Sequence, residues 1–226
     1  MVIKAVFFDL DDTLCLTSGS RQARARLAHE TLTRAGHAVD FDALLESVLR
    51  VEPEQTYIRG LQPALRELGL LDTEAGRTAL GIWFFEGAEH LIEGFAGCLD
   101  ALQALSTRYR LGVITNGPEA IQARKFEALK VGAHFAPDLF VTSERASCFK
   151  PDERIFRCAL ELADVEAHEA IHIGDSLEAD VAGALGAGMR AVWFNPNGGD
   201  PEGRIVPDAT ISSYAELPAL IEKWSG

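Results

Sequence analysis

The sequence predicts an α/β protein: a mostly parallel sheet carrying a helical insert after its first strand. Three observations predict it. Short apolar runs rich in Val, Ile and Phe recur along the chain. Segments with apolar residues at roughly 3.6 spacing separate them. The interval between the first and second runs breaks this rhythm and reads as helical throughout. Strands alternating with helices imply right-handed crossovers and a parallel sheet. Near-continuous apolar strands fit burial on both faces.

The first run is VIKAVFF (2–8). Four helical patterns follow it: SRQARARLAHETLTRAG (20–36), DFDALLESVLRV (40–51), YIRGLQPALRELG (57–69) and EAGRTALGIWFFEGAEHL (74–91). They predict an insert over 17–87, leaving 1–16 and 88–226 as the core. The helix AGCLDALQALSTR (96–108) leads into the second strand, LGVIT (111–115). PEAIQARKFEALKV (118–131) then precedes DLFVT (138–142), and DERIFRCALELA (152–163) precedes AIHIG (170–174). SLEADVAGALGAG (176–188) precedes RAVWF (190–194), and a weaker run, DATI, sits at 208–211. NPNGGDPEGR (195–204) reads as a turn-rich loop.

Composition narrows the class. With 47% apolar and 24% charged residues, the 226-residue chain has the balance of an ordinary soluble globular protein. No stretch approaches the roughly 18 apolar residues of a membrane span. The N-terminus lacks a signal-peptide pattern. Cys15, Cys98, Cys148 and Cys158 are scattered, with no Cys-x-x-Cys pair. That favours reduced thiols and a cytoplasmic location over disulfides or a zinc site. A net charge of -13 argues against nucleic-acid polymers and anionic membranes. It still admits a small phosphate ester where a cation screens the charge.

In an open parallel sheet, ligands bind outside the carboxyl ends of the strands. After the first strand comes Asp9-Leu10-Asp11-Asp12-Thr13, and after the second Thr115-Asn116-Gly117-Pro118. Beyond the third lies Lys150-Pro151-Asp152, and after the fourth Gly174-Asp175-Ser176, with Asp180 a helical turn later. Taken singly, each has a plain reading as a turn, a helix cap or a surface pair. Their falling in order after successive strands is what points to one site.

FDLDDTL, ITNG, KPDERIF and GDSLEAD resemble the four motifs of the haloacid dehalogenase-like (HAD) hydrolase superfamily, within it the phosphatases with a helical cap after the first strand. The resemblance runs from residue 3 to about residue 195. It implies a parallel, three-layer Rossmann-like core. It also implies roles: Asp9 the nucleophile and Asp11 the general acid and base, with the spacing of two sending both side chains to one side of the strand end. Thr115 and the Asn116 backbone N–H would hold phosphate oxygens, and Lys150 would neutralise the nucleophile and the phosphoryl group. Asp175, Asp9 and the Asp11 carbonyl would bind a divalent cation, and Mg2+ suits that all-oxygen shell.

The remaining residues are less determined. Asp180 reads as an orienting or Lys150-pairing acid, or as a helix-surface acid. Asp12 stands where the family often has Gly and reads as a turn or cap acid. Thr13 fixes the loop. Glu153, where the family often has Pro, could alter a helix start. Arg21 and Arg24 could meet an anionic part of the substrate from the insert, against the plainer reading of a solvated helix face. Trp83, Phe84 and Phe85 read as packing for the insert's own core. GALGAG (183–188) reads as close helix packing rather than a nucleotide loop.

The insert would act as a lid that excludes water and selects the leaving group. No lysine stands between Lys4 and Lys125, so a phosphonate-cleaving Schiff base has no residue to form on. Asp11 favours an ester oxygen over a halide as leaving group. The resemblance thus implies a phosphomonoesterase of a small metabolite, with a dehalogenase, a phosphomutase or a catalytically idle binding relative as alternatives.

Overall fold

The computed structural model describes residues 2–50, 60–199 and 205–225. Parts of two expected insert helices (51–59) and of the expected loop (200–204) lie outside the described residues. The chain divides into two compact units, Met1–Leu16 with Glu93–Gly226, and Thr17–Ile92. The return to the first unit falls beyond residue 88, because a 3-10 turn, Glu89–Leu91, prolongs the insert. Leu16 N–H donates to Glu93 O at 2.8 Å, so the outgoing and returning chain run side by side.

Among the described residues, the first unit is built on a six-stranded, wholly parallel sheet. Its strands are β1 (Ala5–Phe8), β2 (Arg110–Thr115), β3 (Phe140–Thr142), β4 (Ala170–Gly174), β5 (Arg190–Phe194) and β6 (Ala209–Ile211). Their order is β3-β2-β1-β4-β5-β6, which reverses direction between β1 and β4. A doubly wound sheet opens its ligand crevice at such a reversal, at the carboxyl ends of the strands.

All four residues of β1 are buried, as a strand covered on both faces requires. Ala5 and Phe7 point to one face. There they meet Ile155, Phe156 and Ala159 of the helix Glu153–Ala163. Phe8 points to the other and meets the edge of Phe135. The Asp152 side chain caps that helix by accepting from Arg154 N at 3.0 Å, so Glu153 leaves the helix start intact. The end of the chain carries a helix that the sequence patterns did not single out, Leu217–Ser225.

The second unit is helical: Arg21–Arg34, Phe41–Leu49, Gln62–Glu67 and Glu74–Trp83. Ala25, Ala28 and Leu32 of the first pack with Leu44, Leu65, Ala79 and Trp83 in one cluster. Asp40 and Thr73 cap two of these helices through their side chains. Among the described residues, no helix is long and apolar enough to cross a membrane.

Candidate active site

The carboxyl ends of β1, β2 and β4 bring together Asp9, Asp11, Thr115, Asn116 and Asp175, with Lys150 and Asp180. Asp9 continues the β1 ladder by donating its N–H to Ile173 O at 2.8 Å. Its side chain is buried and accepts from Lys150 Nζ at 2.5 Å. The same ammonium donates to Asp180 Oδ1 at 2.6 Å and to Ile114 O at 3.1 Å. A lysine has three N–H donors, and all three are matched.

Burial alone would push Lys150 down, but Asp180 and Asp9 reverse that and hold it as a cation. Asp180 is also desolvated, yet Lys150 and His172 bring it down to about 2. His172 Nε2 stands 2.9 Å from Asp180 Oδ1, and Ser176 N donates to Oδ2 at 3.1 Å. Burial pushes His172 down, against the pull of the Asp180 carboxylate that its Nε2 meets. Asp180 is therefore a buried pairing acid and not a helix-surface one.

Two glycines make this packing possible. A Cβ on Gly174 would stand 2.1 Å from Asp180 Cγ. A Cβ on Gly183 would stand 2.5 Å from Phe156 and 3.0 Å from the Pro151 backbone. The second explains GALGAG as close packing. Asp180 reaches inward from a π-helical stretch, Leu177–Ala182, capped by Ser176 and running into a short α-helix, Gly183–Gly186.

Asp175 follows β4. Its Oδ1 accepts from Thr13 Oγ1 at 3.3 Å, and its carbonyl accepts from Trp193 Nε1 at 2.8 Å. Thr13 is held in turn by Tyr214, whose hydroxyl donates to Thr13 O at 2.8 Å. Asp12 takes a left-handed conformation, φ 52°, where Gly is the easiest residue. Asp12 thus shapes the turn between Asp11 and Thr13.

The loop after β2 is bound to the Lys150 segment. Asn116 Oδ1 accepts from Lys150 N at 2.8 Å, and its Nδ2 donates to Lys150 O at 3.2 Å. Thr115 is fully buried, and its Oγ1 accepts from Gln122 Nε2 at 2.5 Å. The Asp11 carboxylate meets Lys125 Nζ at 2.6 and 2.8 Å and Gln122 Nε2 at 2.9 Å. Both residues lie on the helix Glu119–Leu129, which follows this loop.

The contacts of Lys125, Gln122 and His172 with the site acids are not legible in the sequence. A faint signal existed for the first two: they stand three residues apart, on one face of a helix that leaves a site loop. For His172 there was none, since a histidine inside an apolar strand looks like any other core position.

Asp9, Asp175 and Asp180 each offer a carboxylate oxygen, and these lie within 4.8 Å of one another. Asp180 has both oxygens engaged by protein donors. The other two carry a charge problem. Desolvation pushes Asp9 up to about 7, with Lys150 opposing and Asp180 and Asp11 adding to the rise. Desolvation, then Asp9, Asp180 and Asp12, pushes Asp175 up to about 8. Two oxygen donors that resist ionisation side by side fit a hard divalent cation, whose charge would offset both effects.

Among the insert residues, Arg24 departs from its sequence reading, whereas Trp83, Phe84 and Phe85 pack as expected. Arg24 is buried, not on a solvated face. It donates to Trp83 O at 2.7 Å and Thr17 O at 3.1 Å and stacks over Trp83 and Phe85. Arg21 opens the first helix of its unit, half-buried. Trp83 and Phe85 are buried in the second unit, while Phe84, half-buried, packs against its core.

A model of the haloacid dehalogenase-like hydrolase family matches residues 3–188. The chain is 32% identical over 196 residues to glyceraldehyde 3-phosphate phosphatase of Pyrococcus abyssi, covering 85% of this chain and 82% of that protein. It is 30% identical over 225 residues to pyrimidine 5'-nucleotidase YjjG of Escherichia coli, covering 96% and 97%. Among solved structures, a 2-haloacid dehalogenase from Pseudomonas syringae pv. Tomato DC3000 matches at a TM-score of 0.76 and 30% identity, covering 99% of this chain and 100% of that one.

Proposed function

This chain belongs to the haloacid dehalogenase-like hydrolase family, and we propose that it is a Mg2+-dependent phosphatase of a small phosphorylated metabolite, working through an aspartyl phosphate on Asp9. The observation that carries the reading is the Lys150 ammonium bridging Asp9 and the buried Asp180. A lysine anchored this way holds positive charge against the nucleophile without neutralising itself. Relatives named for a triose phosphate and a nucleotide share the chemistry of a phosphomonoester on a small alcohol.

In the first step an Asp9 carboxylate oxygen bonds to phosphorus as the ester P–O bond breaks. The bonding pair leaves with the alcohol oxygen, which takes the proton of the Asp11 carboxyl group. In the second step a water oxygen bonds to phosphorus and the Asp9–phosphorus bond breaks. Asp11, now a carboxylate, takes the water's proton. Thr115 and the Asn116 N–H hold phosphoryl oxygens. Lys150 stabilises the charge that builds on them. Asn116 keeps its loop and the Lys150 segment in register. Asp9, Asp175 and the Asp11 carbonyl would hold the magnesium ion, which supplies further positive charge to the phosphoryl oxygens. The helical unit Thr17–Ile92 takes the part of the cap that selects the leaving alcohol.

The structural relative named as a 2-haloacid dehalogenase raises a second reading. Asp11 opposes it. A departing halide needs no proton, whereas an alkoxide does, and Asp11 stands two residues from the nucleophile to give one. The test is Asp9→Asn assayed with p-nitrophenyl phosphate and magnesium. Turnover should fall by at least about 10^3-fold with the circular dichroism unchanged. Undiminished turnover would end the assignment, and halide release from a 2-haloacid by the wild type would redirect it.

A further inference from the structure

The helix Glu119–Leu129 turns two polar side chains into the protein. Gln122 is 0% exposed and Lys125 is 1% exposed. Neither has a part in the mechanism above, and burying a charged group is unfavourable unless it is matched. Lys125 Nζ is matched to both oxygens of one carboxylate, Asp11, at 2.6 and 2.8 Å. Gln122 Nε2 meets Asp11 Oδ2 at 2.9 Å, Thr115 Oγ1 at 2.5 Å and Asn116 O at 2.8 Å. Its own Oε1 is buried and has no partner among the described residues. The amide is thus oriented to bring its donors to the carboxylate and the 115–116 loop, at the expense of its acceptor.

We propose that Lys125 and Gln122 are positioning residues for Asp11, fixing its carboxyl group relative to the loop that holds the phosphate. The proposal rests on the phosphatase reading, in which Asp11 gives its proton to the leaving oxygen as the P–O bond breaks. A well-placed acid contributes about 10^2–10^4-fold, and an ångström of misplacement removes much of such a gain.

The test uses leaving groups of the same shape and different need for a proton. p-Nitrophenolate leaves almost unaided, whereas phenolate is the stronger base. The ratio of kcat/KM for phenyl phosphate to that for p-nitrophenyl phosphate is measured in wild type and in Lys125→Met. That quantity reports the steps through phosphorylation of Asp9. The ratio should fall roughly tenfold or more in the variant, mainly through kcat, and Lys125→Arg should recover part of it. Equal losses on both esters, or no loss, would overturn the positioning role and leave the phosphatase reading intact. A wild type inert toward both would overturn the two together. Where Lys125→Met fails to fold, Gln122→Met is read on the same ratio with the same two outcomes.

Discussion

Asp9 and Asp175 stand in a position that Asp180 escapes. Asp180 has a cation and two further donors, and it is held well below the usual carboxylate range. Asp9 and Asp175 are lifted to about 7 and about 8, desolvation being the first cause in each. Stability should follow from the sign of that shift. A carboxyl group that holds its proton longer in the folded chain contributes stability that is full below the unfolded pKa of about 3.9. That stability is lost as pH rises through the folded value. The metal-free protein should therefore melt at progressively lower temperature from about pH 5 to pH 8. Magnesium should raise the melting temperature most at the upper end. Thermal melts with and without the ion check this, and a magnesium effect that is constant across the range would contradict it. At this scale the sequence was legible where a residue's role follows from its place after a strand, as for Asp9, Asp11 and Asp175. It was illegible where the role depends on a side chain reaching across the fold. Lys125 meets Asp11 from 114 residues away in the chain. His172 meets Asp180 from within an apolar strand.

At the scale of the element, the strands were legible because burial on both faces makes them continuous apolar runs, which helices of similar length do not show. The π-helical stretch Leu177–Ala182 was not. Its residues carry an ordinary helical pattern, and nothing in them marks the wider turn that holds Asp180 close to Gly174. The last helix, Leu217–Ser225, also escaped notice, following a weak strand at the edge of the sheet. The packing of Gly183 against Phe156 and Pro151 gives a direct test of the close approach. Gly183→Ala should cost about 1–3 kcal/mol, measured by urea unfolding. It should also depress activity, because the crowded Pro151 backbone adjoins Lys150. An alanine variant as stable as the wild type would contradict the packing account.

For the whole molecule, a chain of net charge -13 gathers its site acids at the one point of the sheet where the strand order reverses. Doing so is workable because the cluster faces two buried lysines, Lys150 and Lys125, and suits one divalent cation. The composition hinted at this only by exclusion, since an acidic chain that binds a phosphate ester must supply positive charge locally. The second unit was legible as a helical insert from the broken strand rhythm. The fate of its Arg24 was not, because an arginine on a helix gives no sign that its guanidinium will meet backbone carbonyls and two aromatic rings. The central claim is that the phosphoryl group passes through Asp9. It can be tested by quenching the enzyme during turnover of p-nitrophenyl phosphate, reducing with borohydride and mapping the peptides by mass spectrometry. An acyl phosphate is reduced to an alcohol where a free carboxylate is not. The account predicts conversion of Asp9 to homoserine, in proportion to enzyme trapped in turnover. Sustained turnover with Asp9 unmodified, or reduction at a different carboxylate, would contradict it.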